Sequence, residues 1–304
     1  MAGAVTPGRA ADFRKGAAFV DGRMVPIEQA TISVLDWGFL HSDATYDVAH
    51  VWNGRFFRLR DHLARFTRGM ERLRLSIPHD AAGIENILRR CVRATGLTNA
   101  YVEMICTRGV PPSGSRDPRE CANRFLAFAV PFIWVANPEQ RKRGLRLRVS
   151  HVQRIAPGAV DPTVKNYHWL DLVAGLFEAY DAGDETVVLV DADGHITEGP
   201  GFNVFAVVDG ALVTPAAGVL EGVTRRTIIE IAQELGIPTR LRPLGASEPR
   251  SAAEVFISST AGGIMPIGMV DGVALETSGM GPVTRKIADR YWALHEDPRY
   301  CIAV

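Results

Sequence analysis

Five turn signals punctuate this chain: Asp21-Gly22, Asn53-Gly54, Asp193-Gly194, Asp209-Gly210 and Asp271-Gly272, each flanked by apolar or β-branched residues. Asn or Asp followed by Gly accepts the positive φ angles of a tight primed turn, so the pattern predicts antiparallel hairpins. Helices are expected between them. Asp61 can cap a segment with Leu63, Phe66, Met70 and Leu73 on one face, and Asp80 another with Ile84, Ile87, Leu88, Cys91 and Val92. Strands follow near 100–107 and 124–135. After Val135 the run Ala-Asn-Pro-Glu-Gln-Arg-Lys-Arg-Gly144 is polar, buries little and reads as a connector. The expected division is a small domain over 1–134, a linker over 135–144 and a large domain over 145–304. In the large domain the patterns predict a strand at 145–151, a helix over 166–182, hairpins over 186–214, a helix over 223–236 and a last helix near 282–295. Strands with segregated helices argue α+β layering, and the mixed order also permits an α/β label.

The 304 residues, 47% hydrophobic, can hold a large core and two domains. Formal net charge is zero, and the basic cluster Arg141-Lys142-Arg143 with Arg146 and Arg148 is too short and local to imply nucleic-acid binding. The four cysteines (Cys91, Cys106, Cys121, Cys301) show no Cys-x-x-Cys spacing and form no disulfide framework, which fits a reducing cytoplasm. Met1-Ala-Gly-Ala-Val-Thr-Pro7 lacks the basic start and apolar run of a signal peptide, and no stretch has the apolar length of a membrane span. No Gly-x-Ser-x-Gly elbow, His-Glu-x-x-His zinc helix or Walker loop is present, so neither a hydrolase nor a metal site is expected.

Two bends carry the chemistry. Lys165 lies in Val160-Asp-Pro-Thr-Val-Lys165-Asn-Tyr-His-Trp169, and Glu198 in Thr197-Glu198-Gly-Pro-Gly-Phe-Asn203. A lysine amine can form a Schiff base with an aldehyde cofactor, and a glutamate beside a pyridine nitrogen keeps that ring protonated and electron-withdrawing. Gly218-Val-Leu-Glu-Gly222 precedes a helix, so the amides of Gly222, Val223 and Thr224, with the Thr224 hydroxyl, can point at a phosphate. Ser258-Ser-Thr-Ala-Gly-Gly263 offers further donors.

Further motifs follow in order: Phe39-Leu-His41-Ser-Asp-Ala-Thr-Tyr46-Asp-Val48, Gly54-Arg-Phe-Phe-Arg-Leu59, Asp61-His-Leu-Ala-Arg65, Thr107-Arg-Gly109 and Thr260-Ala-Gly-Gly-Ile-Met-Pro266. Together with the Lys165, Glu198 and Gly222 segments, these make the chain resemble the fold-type IV pyridoxal phosphate enzymes from about residue 15 onward. That family includes branched-chain and D-amino acid aminotransferases, and the likeness is strongest to its (R)-selective amine transaminase branch. The resemblance implies a two-domain fold and transfer of an amino group from an R-configured primary amine to a keto acid such as pyruvate. Pyridoxal 5'-phosphate would be carried as a Schiff base on Lys165. It also implies Glu198 as partner of the ring nitrogen, with Arg65, Gly222, Val223, Thr224, Ser259 and Thr260 around the phosphate. Around the substrate it implies His41, Tyr46, Val48, Tyr101, Glu103, Trp169 and Ala261. Alternation along Tyr101-Val-Glu103 puts the first and last on one strand face. Arg116, in the Gly- and Pro-rich loop 109–118, is the expected partner of a substrate carboxylate, with Arg108 or Arg119 as alternatives. A homodimer is implied as well. Competing activities are D-amino acid or branched-chain aminotransfer, and an aminodeoxychorismate-type lyase using the same lysine.

Overall fold

Positive φ at both residues of a turn pair marks the tight hairpins. Asp21-Gly22 joins β1 (Ala17–Val20) to β2 (Arg23–Pro26) in this way, in a computed structural model that describes residues 12–304. The Met1–Pro7 reading lies outside those residues. After the short α1 (Trp37–Leu40), Asn53-Gly54 joins β3 (Ala44–Trp52) to β4 (Arg55–Phe57) through the same kind of turn. Two helices come next. α2 (Leu59–Arg72) begins one turn earlier than a cap at Asp61 would place it, because Arg58 takes the left-handed conformation at φ 50°. Asp61 instead sits in the first turn and accepts from Arg58 Nε at 2.7 Å. α3 (Ala81–Thr95) has the expected cap, with Asp80 Oδ1 accepting from Gly83 N at 2.8 Å.

β5 (Ala100–Val110) and β6 (Ala122–Pro131) complete an antiparallel row β4-β3-β5-β6-β1-β2. The apolar stripes of α2 and α3 pack on its central strands. Leu59, Leu63, Phe66, Ile84 and Leu88 meet Ala49, Val51, Val102 and Met104 in one core.

The polar run after Val135 is a connector with structure of its own. α4 (Pro138–Arg143) is closed by a reciprocal capping box between Asn137 and Gln140, and Arg141 lies over the Trp134 ring at 3.7 Å. The basic cluster around it is paired: Arg143 and Arg146 meet Glu185, and Arg148 meets Asp184.

A second sheet is built by β7 (Leu145–Gln153), then, after α5 (Leu170–Asp181), β8 (Thr186–Val190), β9 (Asn203–Val208) and β10 (Ala211–Thr214). After α6 (Val223–Glu234) come β11 (Thr239–Leu241), α7 (Glu248–Ser251), β12 (Glu254–Ser259), β13 (Gly263–Val270) and β14 (Val273–Ala274). The order β11-β10-β9-β12-β13-β7-β8 mixes directions. Pairs β7–β8, β13–β7 and β10–β11 are parallel, and helices α5 and α6 serve as crossovers for the first and last of these. Hairpins alone therefore do not describe this half. Of the two turn pairs expected over 186–214, Asp209-Gly210 is a tight β9–β10 hairpin, whereas Asp193-Gly194 sits in a longer loop whose Gly alone has positive φ. Asp191 Oδ1 accepts from Asp193 N and His195 N there and sets the wider turn.

α6 and the final helix α8 (Pro282–Ala293) cover one face of this sheet, where Phe205, Phe256, Ile228, Ile231, Ile287 and Tyr291 pack together. Alternation along β12 sends Val255 and Ile257 into the other core with Leu147, Val204 and Met265. The chain then crosses back: β15 (Cys301–Ala303) pairs antiparallel with β4 and becomes the seventh strand of the first sheet. Residues 301–303 thus lie with the first sheet although the sequence patterns group them with the second half.

Candidate active site

A cleft of about 260 Å³ opens between the two sheets, and Lys165 and Glu198 both line it. Lys165 is not on a helix. Its carbonyl accepts from Tyr46 N at 3.2 Å and from Thr45 Oγ1 at 2.8 Å, and Thr45 and Asn166 form an isolated antiparallel bridge. Asn166 Oδ1 also accepts from His168 N, a side-chain turn that holds 165–169 out of helical conformation. For that reason α5 starts at Leu170 rather than near 166. The lysine is thereby held on the first sheet's strand β3, with Nζ 4.4 Å from the Tyr46 ring centroid.

Glu198 is buried, its Oε2 accepting from Leu220 N at 2.9 Å and its Oε1 from Arg154 Nη2 at 3.3 Å. Burial raises its pKa above the usual glutamate value, while the Leu220 amide, Arg154 and Lys165 pull it back.

Arg65 reaches the cleft from α2, but it is not the solvent-wet cation its helix position suggests. It is 6% exposed and forks onto both oxygens of Asp47, Nε to Oδ2 at 2.7 Å and Nη2 to Oδ1 at 2.8 Å. His62 Nδ1 adds a 2.8 Å contact to Asp47 Oδ1. Burial alone would raise the Asp47 carboxyl, but Arg65 and His62 outweigh it and hold it well below the ordinary aspartate range. Arg65 Nη1 also donates to the Glu221 carbonyl, which ties it to the loop entering α6.

At the start of α6 the first helical bond runs from Arg226 N to the Gly222 carbonyl. The amides of Val223 and Thr224 thus have no partner within the helix. Gly222 is required by close approach: a Cβ there would stand 2.2 Å from Asn203 Oδ1, whose amide donates to the Leu220 carbonyl. Ser259, Thr260 and Ala261 line the same end of the cleft, with Ser259 Oγ donating to the Gly201 carbonyl and accepting from Ala261 N. Two buried polar atoms of lining residues, Ser258 Oγ and Arg154 Nε, have no protein partner. Amine, cationic fork, open helix amides and buried acid together fit a cofactor with an aldehyde, a phosphate and a basic ring nitrogen.

The rest of the wall is apolar or aromatic: Val48, Tyr101, Ile133, Val135, Trp169 and Leu172, beside Tyr46. Glu103 stands behind Tyr101 without lining the cleft. Its oxygens accept from Tyr101 OH at 3.0 Å and Tyr167 OH at 2.7 Å, and burial raises its pKa against the pull of those two hydroxyls. Tyr167 in turn stacks on Tyr46 at 4.3 Å.

Two residues from the sequence reading lie elsewhere. His41 caps the end of α1 and packs edge-on against Trp37, exposed to solvent, and Arg116 is exposed in the 111–117 loop; neither lines this chain's cleft. Nor do the alternatives serve: Arg108 is tied to Asp43 and to the carbonyls of Leu73 and Arg74, and Arg119 to Asp117. Arg154, Tyr167 and Asp47 were not among the expected site residues. Asp47 was within reach, since it alternates with Tyr46 and so faces α2; nothing local marks Arg154.

The family model described as amino-transferase class IV matches residues 44–270, a span that includes Lys165, Glu198 and the start of α6. The chain belongs to the class IV aminotransferases. It is accordingly a pyridoxal-phosphate-dependent transaminase, with the fold-type IV architecture. Among relatives of this class IV chain, the branched-chain-amino-acid aminotransferase of Escherichia coli K12 is 29% identical over 283 residues, covering 90% of this chain and 91% of its own length. The crystal structure of the Thermoproteus uzoniensis branched-chain aminotransferase with norvaline superposes with a TM-score of 0.86 at 30% identity, covering 94% of this chain and 98% of its own. An Escherichia coli branched-chain aminotransferase structure gives 0.88 at 27% identity, covering 96% and 98%. These relatives carry the branched-chain name rather than that of the (R)-selective branch.

Proposed function

We propose that this class IV enzyme transfers the amino group of an R-configured primary amine bearing an apolar substituent to a keto acid such as pyruvate. The observation that carries the reading is the distribution of charge. Among the described residues, the two guanidiniums that line the cleft are already paired with carboxylates, Arg65 with Asp47 and Arg154 with Asp171 and Glu198, and Arg116 lies outside. The walls beside Lys165 are apolar, and the carboxylate behind Tyr101 disfavours a second negative charge on that side.

In this reading Arg65, Val223, Thr224, Ser259 and Thr260 would hold the phosphate, Gly222 would leave room for it while its own amide donates to the Leu220 carbonyl, and Glu198 would pair with the ring nitrogen. Bound there, pyridoxal phosphate supplies an electron sink for the substrate's reacting carbon. Lys165 would be the residue that carries the coenzyme and, as an amine free to accept a proton, would serve as the base that takes the proton from the substrate's reacting carbon and delivers it across the shared nitrogen to the coenzyme's carbon. It must be neutral to do so. Tyr46, Val48, Trp169 and Ala261 shape the space for the substituent.

A second reading, aminotransfer from an L-branched-chain amino acid, is favoured by the names of the relatives. A spectrophotometric screen separates the two. Both enantiomers of 1-phenylethylamine, D-alanine and L-leucine are mixed with the yellow holoenzyme, and (R)-1-phenylethylamine is expected to bleach it fastest. Fastest bleaching by L-leucine overturns the amine reading.

A homodimer belongs to the same proposal. Leu170, Val173, Phe177 and Tyr180 form an exposed apolar stripe along α5, and Val34, Leu35, Phe39 and Leu40 a second exposed group. Sedimentation at twice the 33.1 kDa chain mass is expected, and a monomer would remove this part. Four free cysteines accord with the proposed cytoplasmic setting. Among the described residues no helix is long and apolar enough to cross a membrane.

A further inference from the structure

We propose that Arg154 is a positioning residue for the nitrogen end of the cofactor, bridging Asp171 to Glu198 so that Glu198 stays a correctly aimed carboxylate. The inference rests on the reading of Glu198 as the partner of the ring nitrogen.

Arg154 follows β7 directly, and its amide donates to the Val190 carbonyl at 2.8 Å, which fixes its backbone. Its side chain is nearly buried and lines the cleft. Nη1 donates to Asp171 Oδ2 at 2.7 Å, and Nη2 to Glu198 Oε1 at 3.3 Å. Asp171 is itself held from two sides: Oδ2 accepts from Ile155 N at 2.8 Å, and Oδ1 from Leu172 N at 2.8 Å, in the first turn of α5. The acid on α5 thus orients the guanidinium, and the guanidinium orients Glu198.

The charges explain the arrangement. Asp171, Arg154 and Glu198 sum to one negative charge, which a protonated pyridine nitrogen balances. Without the guanidinium, two carboxylates would share a buried site, and a buried acid lacking its cation takes up a proton instead. A neutral Glu198 cannot hold the ring nitrogen as a cation. The long, single contact also matters. Because its short hydrogen bond goes to Asp171, Arg154 does not fork onto Glu198, so the glutamate keeps enough negative charge to attract the nitrogen's proton.

The test loads the purified enzyme with pyridoxal phosphate labelled with ¹⁵N in the ring, and reads the nitrogen shift across pH with kcat and KM. Arg154→Met should move the signal toward that of an unprotonated pyridine near neutral pH and lower kcat at least about tenfold with little change in KM. Arg154→Lys should restore part of both, and Asp171→Asn, which frees the guanidinium to turn fully onto Glu198, should give a smaller shift in the same direction. If Arg154→Met does not fold, the other two variants decide. Wild-type nitrogen shifts in the folded variants, with kcat within about threefold, would overturn the proposal. Glu198→Gln in the same experiment separates the failures: if it moves the signal while the Arg154 and Asp171 variants do not, only this inference falls. If it too leaves the signal unmoved, the reading of Glu198 falls as well.

Discussion

Lys165→Ala is expected to remove the visible absorption of the bound coenzyme and to lower turnover by a factor on the order of 10⁴ or more, because one amine serves as both covalent anchor and proton carrier. Among the described residues, no other side chain lining the cleft carries an amine. Arg65 and Arg154 are both committed to carboxylates, and a guanidinium offers only donors. The Tyr101 hydroxyl donates to Glu103, and its pKa is driven far above the usual tyrosine range by burial and by that acid. Folding should survive the substitution, since Tyr46 N and Thr45 Oγ1 hold the backbone carbonyl at 165 and not the side chain. Phosphate-end binding should also survive, so the variant is expected to retain coenzyme reversibly and to regain part of its rate with added methylamine. Single-turnover kinetics with the amine selected by the screen measure the effect. Residual turnover within tenfold of the parent would remove Lys165 from its role.

Glu198→Gln should leave the coenzyme bound while cutting kcat by roughly 10²- to 10³-fold, the scale of losing a buried electrostatic contact to the reacting system. Glutamine can still accept from Leu220 N, so the loop before α6 keeps its anchor. What it loses is charge. An amide beside the ring nitrogen donates rather than accepts, which favours the unprotonated ring, and Arg154 is left with Asp171 alone. Proton removal from the substrate should therefore become rate-limiting, and a substrate deuterated at the reacting carbon should show an enlarged isotope effect on kcat. Unchanged rate and isotope effect would contradict the assignment.

Features decided by local chemistry could be read from the chain. A residue pair that needs positive φ announces its turn, so Asp21-Gly22, Asn53-Gly54, Asp209-Gly210 and Asp271-Gly272 all form tight hairpins. The Asp80 cap and the glycine before α6 are likewise local. Features decided across the fold were not legible. The start of α5 depends on Thr45 and Tyr46, more than a hundred residues away, gripping Lys165. Arg65 is buried because Asp47 and His62 meet it, although its place on α2 alone suggests a wet surface. Parallel strand pairing follows from crossover helices and leaves no turn signal, which hid the true arrangement of the second sheet. The gap at Arg154 has the same origin, since its meaning comes from Asp171 and Glu198, 17 and 44 positions further on.

The strand Cys301–Ala303, lying against β4, has a bearing on how the protein is made. The other strands of the first sheet all lie within residues 17–131, so during synthesis its outer edge at β4 stays open until the segment that follows α8 has been made and has docked.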